Sequence, residues 1–307
     1  MPGEAAADAA RRLTTTAVWR LRDRVVLLDR PIVMGVVNVT PDSFSDGGDF
    51  FSPDAAVERA GRMLAEGADM LDIGGESTRP GAAPVPAAEE LRRVRPVIEA
   101  LHASFPDVPL SIDTVKSEVA RAALAAGAHL VNDVSGGRLD PVMTAMCAAA
   151  GAGLVLMHSR GAVAEMASYA LADYGNDVVG EVVAELATRV DAARRAGVAA
   201  ESLVVDPGIG FAKRTVHSLA VLADLPRVTA LGYPVMVGVS RKRLIGEITG
   251  VSDPGERAMG TVGLHVAALT RGARVFRVHD VREHRQALDA AWAVVGNREA
   301  GSGHREQ

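Results

Sequence analysis

Cysteine is almost absent from this 307-residue chain: Cys147 stands alone, so no disulfide can form within it. Long apolar runs are missing as well. No stretch reaches about 18 uninterrupted apolar residues, which leaves no candidate for a membrane-spanning helix and no membrane partner in view. Met1 to Arg20 lacks the apolar core of a signal peptide, so a reducing cytoplasm is the expected setting. Positive charge is also in short supply. A net charge of −5 and a pI near 5.9 leave no broad basic face for a nucleic-acid backbone. An anionic ligand must therefore meet a local cationic cluster. Lysine is the scarcest cation, with Lys116, Lys213 and Lys242 against thirty arginines. A position that keeps lysine is a candidate for needing a compact point charge rather than a planar fork. HExxH, paired CxxC and a Walker lysine are all missing, so metalloprotease, zinc-ribbon and P-loop chemistry lack their motifs.

What is present is a large apolar fraction, 48%, with a mean hydropathy of +0.14, enough for an extensive core. Short runs rich in Val, Ile and Leu recur eight times: IVMGVVNV (32–39), DMLDIGG (69–75), PLSID (109–113), HLVNDV (129–134), GLVLMH (153–158), LVVDPG (203–208), PVMVGVS (234–240) and RVFRVH (274–279). Segments of helical periodicity lie between them, several closing on Gly-Ala or Gly-Val before the next run. Continuous rather than alternating apolar strands are expected when both faces are covered, and eight βα units match a (β/α)₈ TIM barrel. A doubly wound open sheet is the other arrangement. The expected organisation is a flexible tail over 1–20, one barrel domain over 21–297 with Arg22 to Arg30 as a short hairpin or cap, and a second tail over 298–307.

A barrel places functional groups at the C-terminal ends of its strands. Those ends are polar in all eight runs: Asn38, Asp72, Asp113, Asn132 with Asp133, His158 after Met157, Asp206, Ser240-Arg241-Lys242, and Arg277 with His279 and Asp280. Any one of them alone reads as an Asx-turn or a helix N-cap, but eight together weigh against that reading. Lys213 reads as a solvated charge and Lys116 as a surface helix residue. His102, His129, His217 and His265 read as packing or surface histidines, and Tyr169 and Tyr174 as either site-lining or packing a surface loop. The tips sort chemically into two groups. Asp113, Asn132 and Asp206, with Lys242 nearby, suit the edge of a flat, nitrogen-rich heterocycle. Ser77, Thr78, Arg79, Arg277 and His279, with Asn38 opposite, suit a phosphate or pyrophosphate and a metal-bound water.

The segments MGVVNVTPDSFSDGG (34–48), GADMLDIGGESTRPGA (67–82), SIDTVKSEVARAALAAGAHLVNDVSGG (111–137), LVLMHSRG (154–161), DPGIGFAK (206–213), VGVSRKRLIG (237–246) and RVHDV (277–281) resemble those of the dihydropteroate synthases. The resemblance implies a homodimeric barrel that joins a pterin pyrophosphate to p-aminobenzoate with Mg²⁺. It implies a pterin pocket of Asp113, Asn132, Asp206 and Lys242, lined by Met157, Phe211 and Gly238, with Arg277 stacked on the ring. Asn38 would meet Mg²⁺, and Arg277 and His279 the pyrophosphate; Lys242, Asp206, Arg277 and His279 would carry the chemistry. Asp46, Thr78, Arg79 and Pro80 would lie on loops shaping the p-aminobenzoate subsite. Arg243 departs from the small hydroxyl residue common there. A corrinoid methyltransferase on a related barrel, or a non-catalytic pterin-binding paralogue, would share the pterin contacts, but the methyltransferase would not need Asn38 or the two basic strand ends.

Overall fold

The computed structural model describes residues 18–39, 52–77 and 83–302. Two antiparallel strands, β1 (Val18–Leu21) and β2 (Arg24–Leu27), precede eight barrel strands: β3 (Ile32–Asn38), β4 (Met70–Gly74), β5 (Leu110–Asp113), β6 (Leu130–Asp133), β7 (Gly153–Met157), β8 (Leu203–Asp206), β9 (Met236–Val237) and β10 (Val275–Val278). The eight run parallel in the order β8-β7-β6-β5-β4-β3-β10-β9, and a parallel bridge from Val205 to Val235 joins the two ends. The helices are α1 (Pro53–Ala65), α2 (Ala87–Ser104), α3 (Ser117–Ala125), α4 (Met143–Ala150), α5 (Val163–Met166), α6 (Val178–Arg195), α7 (Thr215–Ala223), α8 (Pro226–Thr229), α9 (Arg243–Thr249), α10 (Ala258–Leu269) and α11 (Val281–Ser302). This is the TIM barrel expected from the eight apolar runs. None of the described helices is long and apolar enough to cross a membrane.

The continuous apolar runs follow from this architecture. Side chains alternate across a strand, and both sets are buried. Val33, Val37, Leu71, Ile73, Ile112 and Leu154 join the core shared with the helices. Ile32, Met34, Met70, Leu130, Val155, Val204, Met236 and Val275 form a separate cluster that fills the lower barrel interior. On five strands, moving two residues towards the C-terminus along the inward set replaces that cluster by polar or small side chains: Asp72 after Met70, Asn132 after Leu130, Asp206 after Val204, Gly238 after Met236 and Arg277 after Val275, whereas Val36 after Met34 and Met157 after Val155 stay apolar. The pairing register aligns these tips across strands, with Asp113 opposite Asn132 and Met157 opposite Asp206.

The β1–β2 hairpin closes the opposite end. Trp19 and Leu21 are fully buried and belong to the same cluster as the lower barrel interior. The Trp19 indole N–H donates to the Ser202 carbonyl at 3.1 Å. Leu21 reaches so close to Gly153 that a Cβ there would lie 2.4 Å from it. The hairpin begins at Val18, inside the stretch expected to be tail, because Val18 and Arg20 face outward while Trp19 and Leu21 alternate into the barrel. At the other terminus α11 continues to Ser302, through the first residues of the expected second tail.

Trp19→Ala empties that plug and is expected to lower stability by about 3–5 kcal/mol. Val25→Ala, at a side chain 51% exposed, should stay within about 0.5 kcal/mol of the parent. Urea unfolding of both variants checks the contrast.

Candidate active site

The polar tips converge on one guanidinium. Arg277, on β10, donates from Nε to Asp72 Oδ2 at 2.6 Å and from Nη2 to Asp113 Oδ2 at 2.7 Å. Asp72 Oδ2 also accepts from Asn132 Nδ2 at 3.0 Å, so β4, β5, β6 and β10 are tied across the barrel interior. Gly238 lies beside this group: a Cβ there would sit 3.5 Å from Arg277 Cβ. Asp72, absent from both chemical groups formed by the strand tips, is therefore their hub. Burial raises the Asp113 carboxyl to about 7; Arg277 pulls it down and Asp72 pushes it up. Arg277 itself is held above its ordinary range by Asp72 and Asp113, against desolvation.

Asp206 and Lys242 form the other side. The Asp206 carboxylate accepts the Gly208 amide at 2.7 Å, so its turn role is real. It is also buried, which raises its pKa, with Lys242 opposing that shift. Lys242 Nζ donates to the Ile209 carbonyl at 2.6 Å and sits 4.3 Å from the Phe211 ring centroid. Desolvation lowers the Lys242 ammonium to about 8, with Asp206 acting against it. Phe211 and Met157 pack together with Val115, Val134 and Met166 into a small apolar cluster. The tier thus offers carboxylate and amide acceptors, two cations and an apolar wall at the C-terminal ends of the barrel strands.

Ser240 and His279 stand at the ends of β9 and β10. Ser240 Oγ accepts the His279 amide at 3.1 Å and lies 3.0 Å from its Nδ1. With the hydroxyl proton given to Nδ1, the ring proton is left on Nε2. Burial, Arg277 and Arg241 push the His279 imidazole down to about 3, so near neutrality it is an uncharged donor. The Arg241 guanidinium is engaged with the Asp280 carboxylate. Asn38 ends β3 half-buried beside Gly74 of β4. Asp46, Thr78, Arg79 and Pro80 lie outside the described residues.

Two expectations need correction. Lys213 is not a solvated charge: it is fully buried, and its three donors meet His158 Nδ1 at 2.7 Å and the Gly208 and Phe211 carbonyls at 3.1 Å each. It braces the loop that carries Phe211. Gly208 is needed there too, since its φ is +65° and a Cβ would meet the His158 carbonyl oxygen at 1.9 Å. Lys116 is not a plain surface residue either. It precedes α3 and bridges Glu76 at 2.8 Å and the fully buried Glu90 at 2.5 Å. Arg277 is held at its guanidinium edge by the Asp72 and Asp113 carboxylates. Tyr169 and Tyr174 both pack: Arg243 lies 3.6 Å above the Tyr169 ring and Arg160 lies 4.1 Å above that of Tyr174.

A model of the pterin binding enzymes matches residues 34–279, a span that contains all of the tips described above except Asp280. The chain belongs to the dihydropteroate synthase family of pterin-binding enzymes. It is 47% identical over 266 residues to a dihydropteroate synthase from Synechocystis sp., covering 86% of this chain and 91% of that one. Among solved structures it is similar to the Xanthomonas albilineans dihydropteroate synthase with 4-aminobenzoic acid, at 49% identity and a TM-score of 0.85, covering 91% and 98% of the two chains. It is likewise similar to the same bacterium's dihydropteroate synthase in complex with 7,8-dihydropteroate, at 48% identity and a TM-score of 0.80, covering 90% and 98%.

Lys213→Ala leaves one imidazole and two carbonyl acceptors without a donor in a dry interior. Each orphaned group costs about 1–3 kcal/mol, so a loss of at least about 2 kcal/mol in urea unfolding is expected. Lys213→Met, which keeps the stem, should lose a similar amount.

Proposed function

We propose that this chain condenses 6-hydroxymethyl-7,8-dihydropterin pyrophosphate with p-aminobenzoate, giving 7,8-dihydropteroate and pyrophosphate for folate synthesis. The observation that carries the reading is the barrel tier of Asp113, Asn132, Asp206, Lys242 and Arg277, closed on one side by Met157 and Phe211. The pterin edge presents N–H groups, and a carboxylate that only accepts is their natural partner. The similar X. albilineans proteins, solved with 4-aminobenzoic acid and with 7,8-dihydropteroate, support both substrates.

The chemistry follows from charge. Cleavage of the bond between the pterin CH₂ and the pyrophosphate oxygen leaves a cation conjugated to an electron-rich ring, while negative charge gathers on the leaving group. Asp113 and Asp206 favour the positive ring, and fixed charges act strongly where water is excluded. Arg277 and the neutral His279 donor favour the departing anion. Mg²⁺, when bound, would neutralise phosphate oxygens. Asn38 suits that ion, since one amide oxygen is a hard ligand and Mg²⁺ usually completes its sphere with phosphate oxygens and waters. The weakly basic arylamine needs placement against the cation more than deprotonation, and we assign that placement to the loops bearing Asp46 and Thr78, Arg79 and Pro80.

A homodimer is part of the proposal. The helix α10, AMGTVGLHVAAL, is apolar at nearly every position, as a helix covered on two sides would be. Met259 is 74% exposed and borders a shallow groove of about 300 Å³ with Val262, Glu283, Gln286 and Ala287 between α10 and α11. The lone Cys147 is buried, and a cytoplasmic location suits a chain that uses no disulfide.

Incubation with the pterin pyrophosphate, p-aminobenzoate and Mg²⁺ should release pyrophosphate. Retained pterin binding without release would contradict the reading. Asp206→Ala and Lys242→Ala should each lower turnover by at least about a hundredfold. Asp113 must be ionised to accept ring N–H groups, and Lys242 must be charged. kcat/KM should therefore fall as pH drops below about 7 and again as it rises above about 8. A profile flat from pH 6 to 9 would separate those groups from the reaction. Met259→Asp should shift the protein to a monomer in sedimentation.

A further inference from the structure

Asp72 touches nothing that the proposed reaction consumes, yet its carboxylate ties Arg277 of β10 to Asn132 of β6. It is fully buried on β4, with Val36 of β3 and Ser111 of β5 as its register partners. Its Oδ2 accepts from both Arg277 Nε and Asn132 Nδ2, at 2.6 and 3.0 Å. Asn132 is itself buried, and its Oδ1 has no partner among the described residues. A plain counter-ion for Arg277 would explain the first contact but not the second.

The second contact fixes a choice that asparagine leaves open. An amide can present either its oxygen or its NH₂ to a given side, and the neighbours decide which. A carboxylate held by a guanidinium only accepts, so the NH₂ of Asn132 must face Asp72 and its oxygen must face away. That oxygen is buried and unpartnered, which is expensive unless an N–H arrives to meet it. The first contact fixes Arg277 in a related way. Nε is anchored on Asp72 while Nη2 reaches Asp113 at 2.7 Å. Rotation about the anchored edge can release Asp113 without releasing Arg277.

We infer that Asp72 is a positioning residue of the pterin site: it holds Asn132 with its oxygen towards a ring N–H and anchors Arg277 by Nε, so that Nη2 can pass from Asp113 to an incoming phosphate. The inference rests on the pterin reading above. It makes occupation of the two halves of the substrate interdependent. When Nη2 moves to phosphate, Asp113 Oδ2 becomes available to the pterin edge, so one displacement prepares both subsites. A ring offering an acceptor where the pterin offers N–H would face the Asn132 oxygen and be rejected.

The variants Asp72→Asn, Asn132→Asp and the exchanged pair Asp72→Asn with Asn132→Asp test this in the full-length protein, by binding of 6-hydroxymethylpterin and by steady-state pyrophosphate release. Asp72→Asn should bind pterin about ten- to a hundredfold more weakly and raise KM for the pterin pyrophosphate, leaving KM for p-aminobenzoate unchanged. Asn132→Asp sets two carboxylates against each other. In the exchanged pair an amide again donates to a carboxylate whose other oxygen faces the ligand, so affinity should recover at least about tenfold over Asn132→Asp.

A pH profile separates positioning from a general loss of structure. Asp113 is faced by Arg277 from β10, Asp72 from β4, Glu90 from α2, Asp133 from β6 and Lys242 from the segment after β9. Removing the like charge of Asp72 makes Asp113 easier to ionise. The acid limb of kcat/KM should therefore move to lower pH in Asp72→Asn, where a loosened fold would leave it in place. Wild-type protein that binds no pterin overturns the functional reading and this one with it. Wild-type binding with Asp72→Asn within about twofold of it, an unmoved acid limb, or an exchanged pair no better than Asn132→Asp overturns the role of Asp72 alone.

Discussion

One guanidinium between two carboxylates organises this barrel. Arg277 spans Asp72 and Asp113 in an interior where an unpaired charge is penalised by several kcal/mol. Bringing those three ions together requires β4, β5 and β10 to hold their register, because a slip of one residue would turn each side chain into the helix layer. The apolar floor beneath makes that arrangement affordable: eight inward side chains and the Trp19–Leu21 plug supply burial where no chemistry is present. A polar upper tier and an apolar lower tier divide one barrel between reactivity and stability.

Around this centre, secondary contacts hold each reactive group to one orientation. Lys213 gives its donors to His158 and to the loop carrying Phe211, so the apolar wall beside Lys242 is set by a buried lysine that never reaches the site. Arg189 donates to the Met157 and Ser159 carbonyls at 2.5 and 2.7 Å, fixing the end of β7 from outside the barrel. Ser240 Oγ holds both the backbone amide and the ring Nδ1 of His279, fixing the ring's orientation. Such supports restrict rotation at little entropic expense, since the groups they hold are already buried.

The strands were legible because helices cover them on one side and the barrel interior on the other, which makes each an unbroken apolar run. The convergence of Asp113, Asn132, Asp206, Lys242 and Arg277 was legible as polar residues at the ends of those runs. Lys213 was not, because two of its three partners are backbone carbonyls that leave no mark in a sequence; its survival as one of three lysines was the available signal. Lys116 was misread for a related reason, its partners Glu76 and Glu90 lying 40 and 26 positions away. The hairpin start was missed because VWRL is four residues long with an arginine in it, too short for its alternation to stand out from the tail. Asp72 was visible as a strand tip, but its contact with Arg277 spans 205 positions and needed the closed barrel to appear.

The central claim is that Arg277 pivots on Asp72 as substrate enters. A crystal structure with the pterin pyrophosphate bound tests it most directly. The claim predicts Nε still on Asp72, Nη2 moved from Asp113 to a phosphate oxygen, and the Asn132 oxygen facing a ring N–H. Arg277 remaining across Asp113, or leaving Asp72, would contradict it.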